Sequence, residues 1–90
     1  ASTVREKFYS ALDLSYALIQ TGRYSEAEEV ALLLSSAFPG EGLPMTALAL
    51  SMQGQGRFGE AMSVLQDLYT GPEYSHICRD MARDLMEDLE

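Results

Sequence analysis

The chain carries few residues that could perform chemistry, and their spacing argues against a catalytic or metal site. His76 and Cys78 are its one histidine and its one cysteine, two positions apart in a segment with helical periodicity. Residues two apart on a helix point to different sides, so this pair cannot share a metal ion or act as nucleophile and base. We therefore expect Cys78 to be a small packing residue and His76 to lie on the surface near a helix start.

Acidic side chains are plentiful, but they are distributed along expected helices. Two groups stand out. One is Glu26, Glu28 and Glu29, and the other is Glu87, Asp88 and Glu90. At these spacings the carboxylates spread over a solvated helix face and do not converge on one cation or substrate. The sequence also contains no glycine-rich phosphate loop and no nucleophile motif. It therefore predicts no enzyme activity, no cofactor and no metal.

The bulk composition indicates a small acidic domain. We expect one domain over residues 1–90, of which 47% are hydrophobic, with a formal net charge of -8. Nucleic acids and anionic membranes are poor partners for such a chain, because phosphate contacts need Lys and Arg. A single cysteine, no signal-peptide segment and no apolar run near the ~20 residues of a membrane span predict a cytoplasmic location.

One six-residue segment occurs twice. Residues 22–27 read Gly-Arg-Tyr-Ser-Glu-Ala, and residues 56–61 read Gly-Arg-Phe-Gly-Glu-Ala, 34 positions later. The same offset pairs Leu14 with Leu48. A repeat of this length, with helix-forming residues on both sides of a glycine, is typical of stacked helix–turn–helix units.

Start and stop signals divide the chain into helices. Thr3 with Glu6, and Ser25 with Glu28, have the spacing of a capping box, and Pro44 suits the first turn of a helix. The predicted helices cover about 4–21, 25–37, 44–55, 59–69 and 73–90.

The last predicted helix has a structural role. Its apolar residues lie four apart, on one side: Ile77, Met81, Leu85 and Leu89. A repeat stack exposes an apolar end unless a helix with a polar outer face covers it. We predict an all-α stack of antiparallel helical hairpins, with repeat one at about 8–41, repeat two at about 42–75 and a closing helix at about 73–90.

The repeat resembles the tetratricopeptide (TPR) family. The matching residues of repeat one are Ala11, Leu14, Ser15, Leu18, Gly22, Tyr24, Ala27, Ala31 and Pro39. Those of repeat two are Met45, Leu48, Ala49, Met52, Gly56, Phe58, Ala61 and Leu65. The chain departs from the family in lacking Trp at Ala11 and Met45, and in placing Pro72 one residue early. The resemblance implies a TPR-like stack whose first helices face a concave groove.

The first helix carries two apolar stripes. One should pack on the second helix: Ala11, Leu14, Ser15 and Leu18. The other lies beside it: Tyr9, Leu12, Tyr16 and Ile19. By the resemblance, this second stripe faces the groove, together with Leu43, Thr46, Leu50, Gln53 and, on the closing helix, Ile77, Asp80 and Asp84.

Two interpretations of the second stripe remain open. In one, its residues pack on neighbouring helices, which suits Leu12 and Ile19. In the other, Tyr9, Tyr16 and their companions form an open groove for a partner helix. Two repeats offer one interface between successive first helices, so little chain is available to cover the stripe, and this favours an open groove for part of the set. The groove positions carry no cation, which argues against the TPRs that grip an acidic chaperone tail.

In size, acidity and groove polarity the chain is similar to the chaperones that hold the needle subunit of bacterial type III secretion. That similarity implies a cytoplasmic bacterial chaperone whose groove covers the C-terminal helix of a self-polymerising subunit. It also implies a second small helical chaperone bound at the first helix. The alternative function is a TPR scaffold that docks on a larger complex or forms a homo-oligomer.

Overall fold

In the computed structural model, residues 3–89 are described, and they form five consecutive α-helices with no strand among them. The helices are α1 (Val4–Gln20), α2 (Tyr24–Ala37), α3 (Leu43–Gly54), α4 (Phe58–Thr70) and α5 (His76–Leu89). Each helix packs on the next, and α3 also contacts α1 and α5. The predicted all-α stack of helical hairpins, with two repeats and a closing helix, is confirmed.

The helices lie in two layers of unequal spacing. The inner layer, α1, α3 and α5, is contiguous, since α3 contacts both of its neighbours. In the outer layer, no Cα atom of α2 lies within 8 Å of one in α4. Because the outer helices are farther apart than the inner ones, the stack curves, and α1, α3 and α5 occupy its concave side.

Both copies of the repeated hexapeptide adopt the same turn. Gly22 and Gly56 have φ of +79° and +78°, in the left-handed region that favours glycine. Arg23 and Arg57 follow as the N-caps of α2 and α4, and each guanidinium pairs with the glutamate three residues later. The sequence repeat is therefore also a repeat of backbone conformation.

One of the two predicted capping boxes forms. At α1, the Glu6 N–H donates to Thr3 Oγ1 at 3.1 Å, and the Thr3 N–H donates to the Glu6 carboxylate at 3.3 Å. The box predicted from Ser25 and Glu28 is wrong, because α2 begins at Tyr24 and its N-cap makes no side-chain hydrogen bond.

Glu28 instead connects the two repeats. Its carboxylate accepts a hydrogen bond from Gln55 Nε2 at 2.9 Å and one from the Arg57 guanidinium at 2.8 Å. The Gln55 hydrogen bond, followed by that from Arg57, holds the pKa of the Glu28 carboxyl below its usual value. These contacts fasten α2 to the turn between α3 and α4.

One hydrophobic cluster runs through all five helices. Its close contacts are made by alanines that are 0% exposed: Ala31, Ala47, Ala61 and Ala82. Two buried serines fill similar places, and Ser15 and Ser51 each donate to the carbonyl three residues earlier, at 2.6 and 2.7 Å. Their hydroxyls are therefore satisfied without any partner from another helix.

The predicted packing stripe of α1 is partly wrong. Ser15 and Leu18 are buried as predicted, but Leu14 is 51% exposed, whereas its repeat equivalent Leu48 is 7% exposed. The difference arises because α2 covers this side of α3, and among the described residues no helix precedes α1 to cover Leu14. Phe8, which the sequence pattern did not single out, is buried and meets Phe38 edge-on at 4.9 Å between ring centres.

The closing helix begins later than predicted, and the side that it turns to the core differs from the predicted one. It starts at His76, and the predicted end at Glu90 lies outside the described residues. Cys78 and Ala82 face the core at 8% and 0% exposure, whereas Ile77 is 72% exposed and not buried as predicted. A Cβ on Gly42 would lie 2.8 Å from Cys78 Sγ, so a residue without a Cβ is needed at the start of α3 where Cys78 packs. The predictions of a packed Cys78 and a surface His76 are confirmed.

Gly54 provides a test of the close packing between repeats. A Cβ there would overlap the ring of Tyr24, whereas a Cβ on Gly59 meets nothing within 4 Å. We expect Gly54→Ala to lower the free energy of unfolding by about 1–3 kcal/mol, because the ring must leave its place. The control, Gly59→Ala in α4, should raise it by about 0.5–1 kcal/mol. Urea unfolding followed by circular dichroism measures both, and a stabilising Gly54→Ala would contradict the packing described.

Candidate functional site

An apolar hollow lies on the concave side, where α1, α3 and α5 meet. It encloses about 330 Å³ and is lined by Tyr16, Thr46, Leu50, Met81, Asp84 and Leu85. A second hollow of about 390 Å³ is lined by Ile19, Tyr24, Leu50, Gln53, Gly54 and Phe58. Leu50 borders both hollows, and we call the two adjoining hollows together the groove.

Besides Asp80 and Asp84, nine residues were predicted to face the groove and contact a partner, and five of the nine line it. They are Tyr16, Ile19, Thr46, Leu50 and Gln53. Thr46 is 0% exposed, so it supports the floor of the groove and offers no surface to a partner. The other four are half-buried, with part of each side chain still open to solvent.

The four remaining predicted residues lie elsewhere. Leu12 is 5% exposed and belongs to the core, which agrees with the packing interpretation of this residue. Tyr9 is 43% exposed, and its hydroxyl accepts a hydrogen bond from the Arg5 guanidinium at 3.1 Å. Leu43 is half-buried against the core, and Ile77 stands exposed at the start of α5. None of these four side chains lines either hollow.

Tyr16 is held in place by a directed hydrogen bond. Its hydroxyl lies 2.6 Å from Thr46 Oγ1, and the Thr46 hydroxyl itself donates to the Leu43 carbonyl at 2.7 Å. Since a hydroxyl has one hydrogen, Tyr16 must be the donor to Thr46. Burial raises the pKa of the Tyr16 phenol above its ordinary value. The ring is therefore fixed as a neutral wall of the groove.

Met81 and Leu85 were missed as groove residues, because the four-residue spacing of α5 assigned them to its core side. The 34-residue offset did place Asp84 correctly, since Tyr16, Leu50 and Asp84 are separated by 34 residues each and all three line the same hollow. The offset gives no signal for Met81 and Leu85, because their equivalents in α3, Ala47 and Ser51, are buried.

No family model, no curated protein and no solved structure matches the chain. Within residues 3–89, no three His, Cys, Asp or Glu side chains are grouped as a metal site would require. None of the helices described is both long enough and apolar enough to cross a bilayer.

Tyr16→Phe tests the buried phenol. Loss of the hydrogen bond to Thr46 should lower the free energy of unfolding by about 0.5–1.5 kcal/mol at neutral pH. The pKa of Tyr16 in the folded protein is raised above the usual 10.0. The contribution of the phenol to the free energy of unfolding is therefore fully present below that pH, and it is lost as pH rises through the folded-state pKa. Urea unfolding between pH 8 and pH 11 should show the gap between wild type and variant narrowing at the alkaline end. A gap that stays constant over this range would contradict the assigned burial.

Proposed function

We propose that the protein is a non-enzymatic binding module that covers an amphipathic helix of another protein, acting as a cytoplasmic chaperone. The observation that supports this most directly is the groove, whose apolar lining comes from three successive inner helices and stays partly open. Recognition of a helix in a groove uses apolar anchors on one face of the partner. A groove of this composition needs no cofactor to bind such a face.

The energetics suit a partner with several apolar anchors. Removing one large apolar side chain from water is worth about 1.5–3 kcal/mol. The groove offers Tyr16, Ile19, Leu50 and Met81 for such contacts. Three or four of these contacts support a stable complex once the ordering of the partner has been offset.

The partner class that benefits most from such cover is a subunit that polymerises through an apolar helix. Binding that helix in the groove competes with polymerisation, and release permits assembly. The resemblance of the sequence to needle-subunit chaperones supports the needle subunit of bacterial type III secretion as the specific client. We include it in the proposal on that resemblance.

The uncovered side of α1 supports a second partner. Leu14 of the first repeat is exposed. The equivalent residue of the second repeat, Leu48, is covered by α2 and buried. Leu14 borders a shallow hollow of about 410 Å³ together with Glu6, Lys7, Ser10 and Ala11. A second small helical protein fits this side as another hairpin would, and it is the second chaperone of the proposal.

The alternative function is a scaffold that associates with copies of itself or with a larger complex. Its support is the set of exposed leucines outside the groove: Leu14, Leu32 and Leu33, with exposures of 51%, 47% and 72%. Such leucines could equally meet one another across a two-fold axis.

A pair of matched substitutions tests the groove. Helical peptides are selected from a randomised display library on the wild-type protein, and their affinities are measured by fluorescence anisotropy. Leu50→Glu places a charge in the groove and should weaken binding about tenfold or more, because the carboxylate must lose water. Leu33→Glu, the same change on the outer face of α2, should leave binding unaltered. Leu12 is unsuitable for this purpose, because a buried charge at that place would disrupt the core.

Circular dichroism must show equal helicity for both variants. If wild type and Leu50→Glu bind the selected peptides equally well, the groove is not the binding site. Co-expression with a needle subunit then tests the specific client, and a defined soluble complex that Leu50→Glu abolishes is the expected result.

The chaperone and scaffold functions differ in the state of the protein alone. We expect light scattering to give the mass of one 9.9 kDa chain, because in the chaperone proposal a different protein covers the exposed side of α1. A stable dimer that Leu14→Glu converts to monomer would favour the scaffold instead.

A further inference from the structure

The groove changes character from one inner helix to the next. Two series of residues 34 positions apart follow it: Tyr16, Leu50 and Asp84, and Ile19, Gln53 and Glu87. Five of these six residues line the groove, and Glu87 lies one helical turn beyond Asp84. In both series the residue of α1 is apolar or aromatic and the residue of α5 is acidic, while α3 supplies Leu50 to one and Gln53 to the other.

The carboxylates at the α5 end are exposed and largely without cationic partners. Asp80 Oδ1 lies 3.8 Å from Arg83, a long contact between two exposed groups. Asp84 lines the same hollow as Tyr16 and Leu50. In the part of the chain that the structure describes, neither Asp84 nor Glu87 has a Lys, Arg or His nitrogen within 4.0 Å. Cationic groups of the described chain therefore do not neutralise this end of the groove.

Three of the five arginines are engaged away from these two acids. Arg23 and Arg57 pair with glutamates at the two turns, and Arg79 donates to the Gly71 carbonyl at 3.3 Å. With a net charge of -8, the protein surrounds the α5 end of the groove with negative potential.

We propose that the groove binds a partner helix that carries Lys or Arg at one end only. The apolar face of this helix lies over α1 and α3, and its basic end lies over Asp84 and Glu87. This inference rests on the proposed function and deepens it by specifying the chemistry of the partner. Packed helices are about 8–10 Å apart and a helix rises about 1.5 Å per residue, so the cation lies about five to seven residues from the side chain that meets Leu50. A partner with a carboxylate at that place is repelled, which sets the direction in which the helix lies.

The selected display peptides provide the test. Peptides enriched on the wild-type protein should carry Lys or Arg at one end, about five to seven residues from the central apolar anchor. The double substitution Asp84→Asn and Glu87→Gln should weaken the best peptide about fivefold, the loss expected for two exposed ion pairs. Asp84→Lys with Glu87→Lys should instead enrich peptides that carry Asp or Glu at that end.

The matched control is Glu29→Gln with Asp67→Asn. These exposed acids lie on the outer helices α2 and α4, and their loss changes the net charge by the same two units. If the control weakens binding as much as the groove pair, overall charge is responsible and the proposed place of the basic end is wrong. If wild type enriches apolar helices with basic residues spread evenly, that place is also wrong, while the proposed function stands. If no helical peptide is enriched over the unselected library, helix binding by the groove fails, and this inference fails with it.

Discussion

Close packing of helices on one another through small side chains is the constraint on which the rest of this structure depends. Alanines without exposed surface occupy the contacts, and Gly42 and Gly54 stand where a Cβ would strike Cys78 or the Tyr24 ring. Small residues let helix axes approach closely, and the stack curves because α3 contacts α1 and α5 whereas α2 and α4 do not contact each other. The groove lies on the concave side that this curvature produces. The packing of the core therefore also shapes the candidate binding surface.

The same geometry explains why the apolar surface is uneven. A helix inside the stack is covered on both sides, as α3 is by α2 and α4. The first helix lacks a preceding neighbour among the described residues, so the repeat position that is buried at Leu48 is open at Leu14. At the other end, α5 presents acids where α1 presents apolar residues. Although the repeats share one backbone conformation, the side chains along the groove change from apolar at α1 to acidic at α5. The proposed partner helix would match this change with an apolar face and a basic end.

Much of the fold could be predicted from local sequence. Glycine at the two turns, the Thr3–Glu6 capping box and Pro44 in the first turn of α3 each act within a few residues, so their signals survive without tertiary context. The 34-residue offset predicted that two hairpins share one conformation. Where a local rule competed with a distant partner it failed, as at Glu28, whose carboxylate bonds Gln55 and Arg57 and leaves the helix end uncapped.

The sequence by itself determined the helices, their order and which helix faces could be apolar, because periodicity and capping are properties of neighbouring residues. Only the tertiary structure decided which apolar residue is covered. Leu12 and Leu14 have similar character, yet one lies in the core and the other is half exposed, since their burial depends on which helix stands beside α1. The rotation of α5 was likewise set by the fit of Cys78 against Gly42, a contact between residues 36 positions apart. Helical periodicity cannot encode that contact, because it specifies a face of the helix but not the neighbour that the face meets.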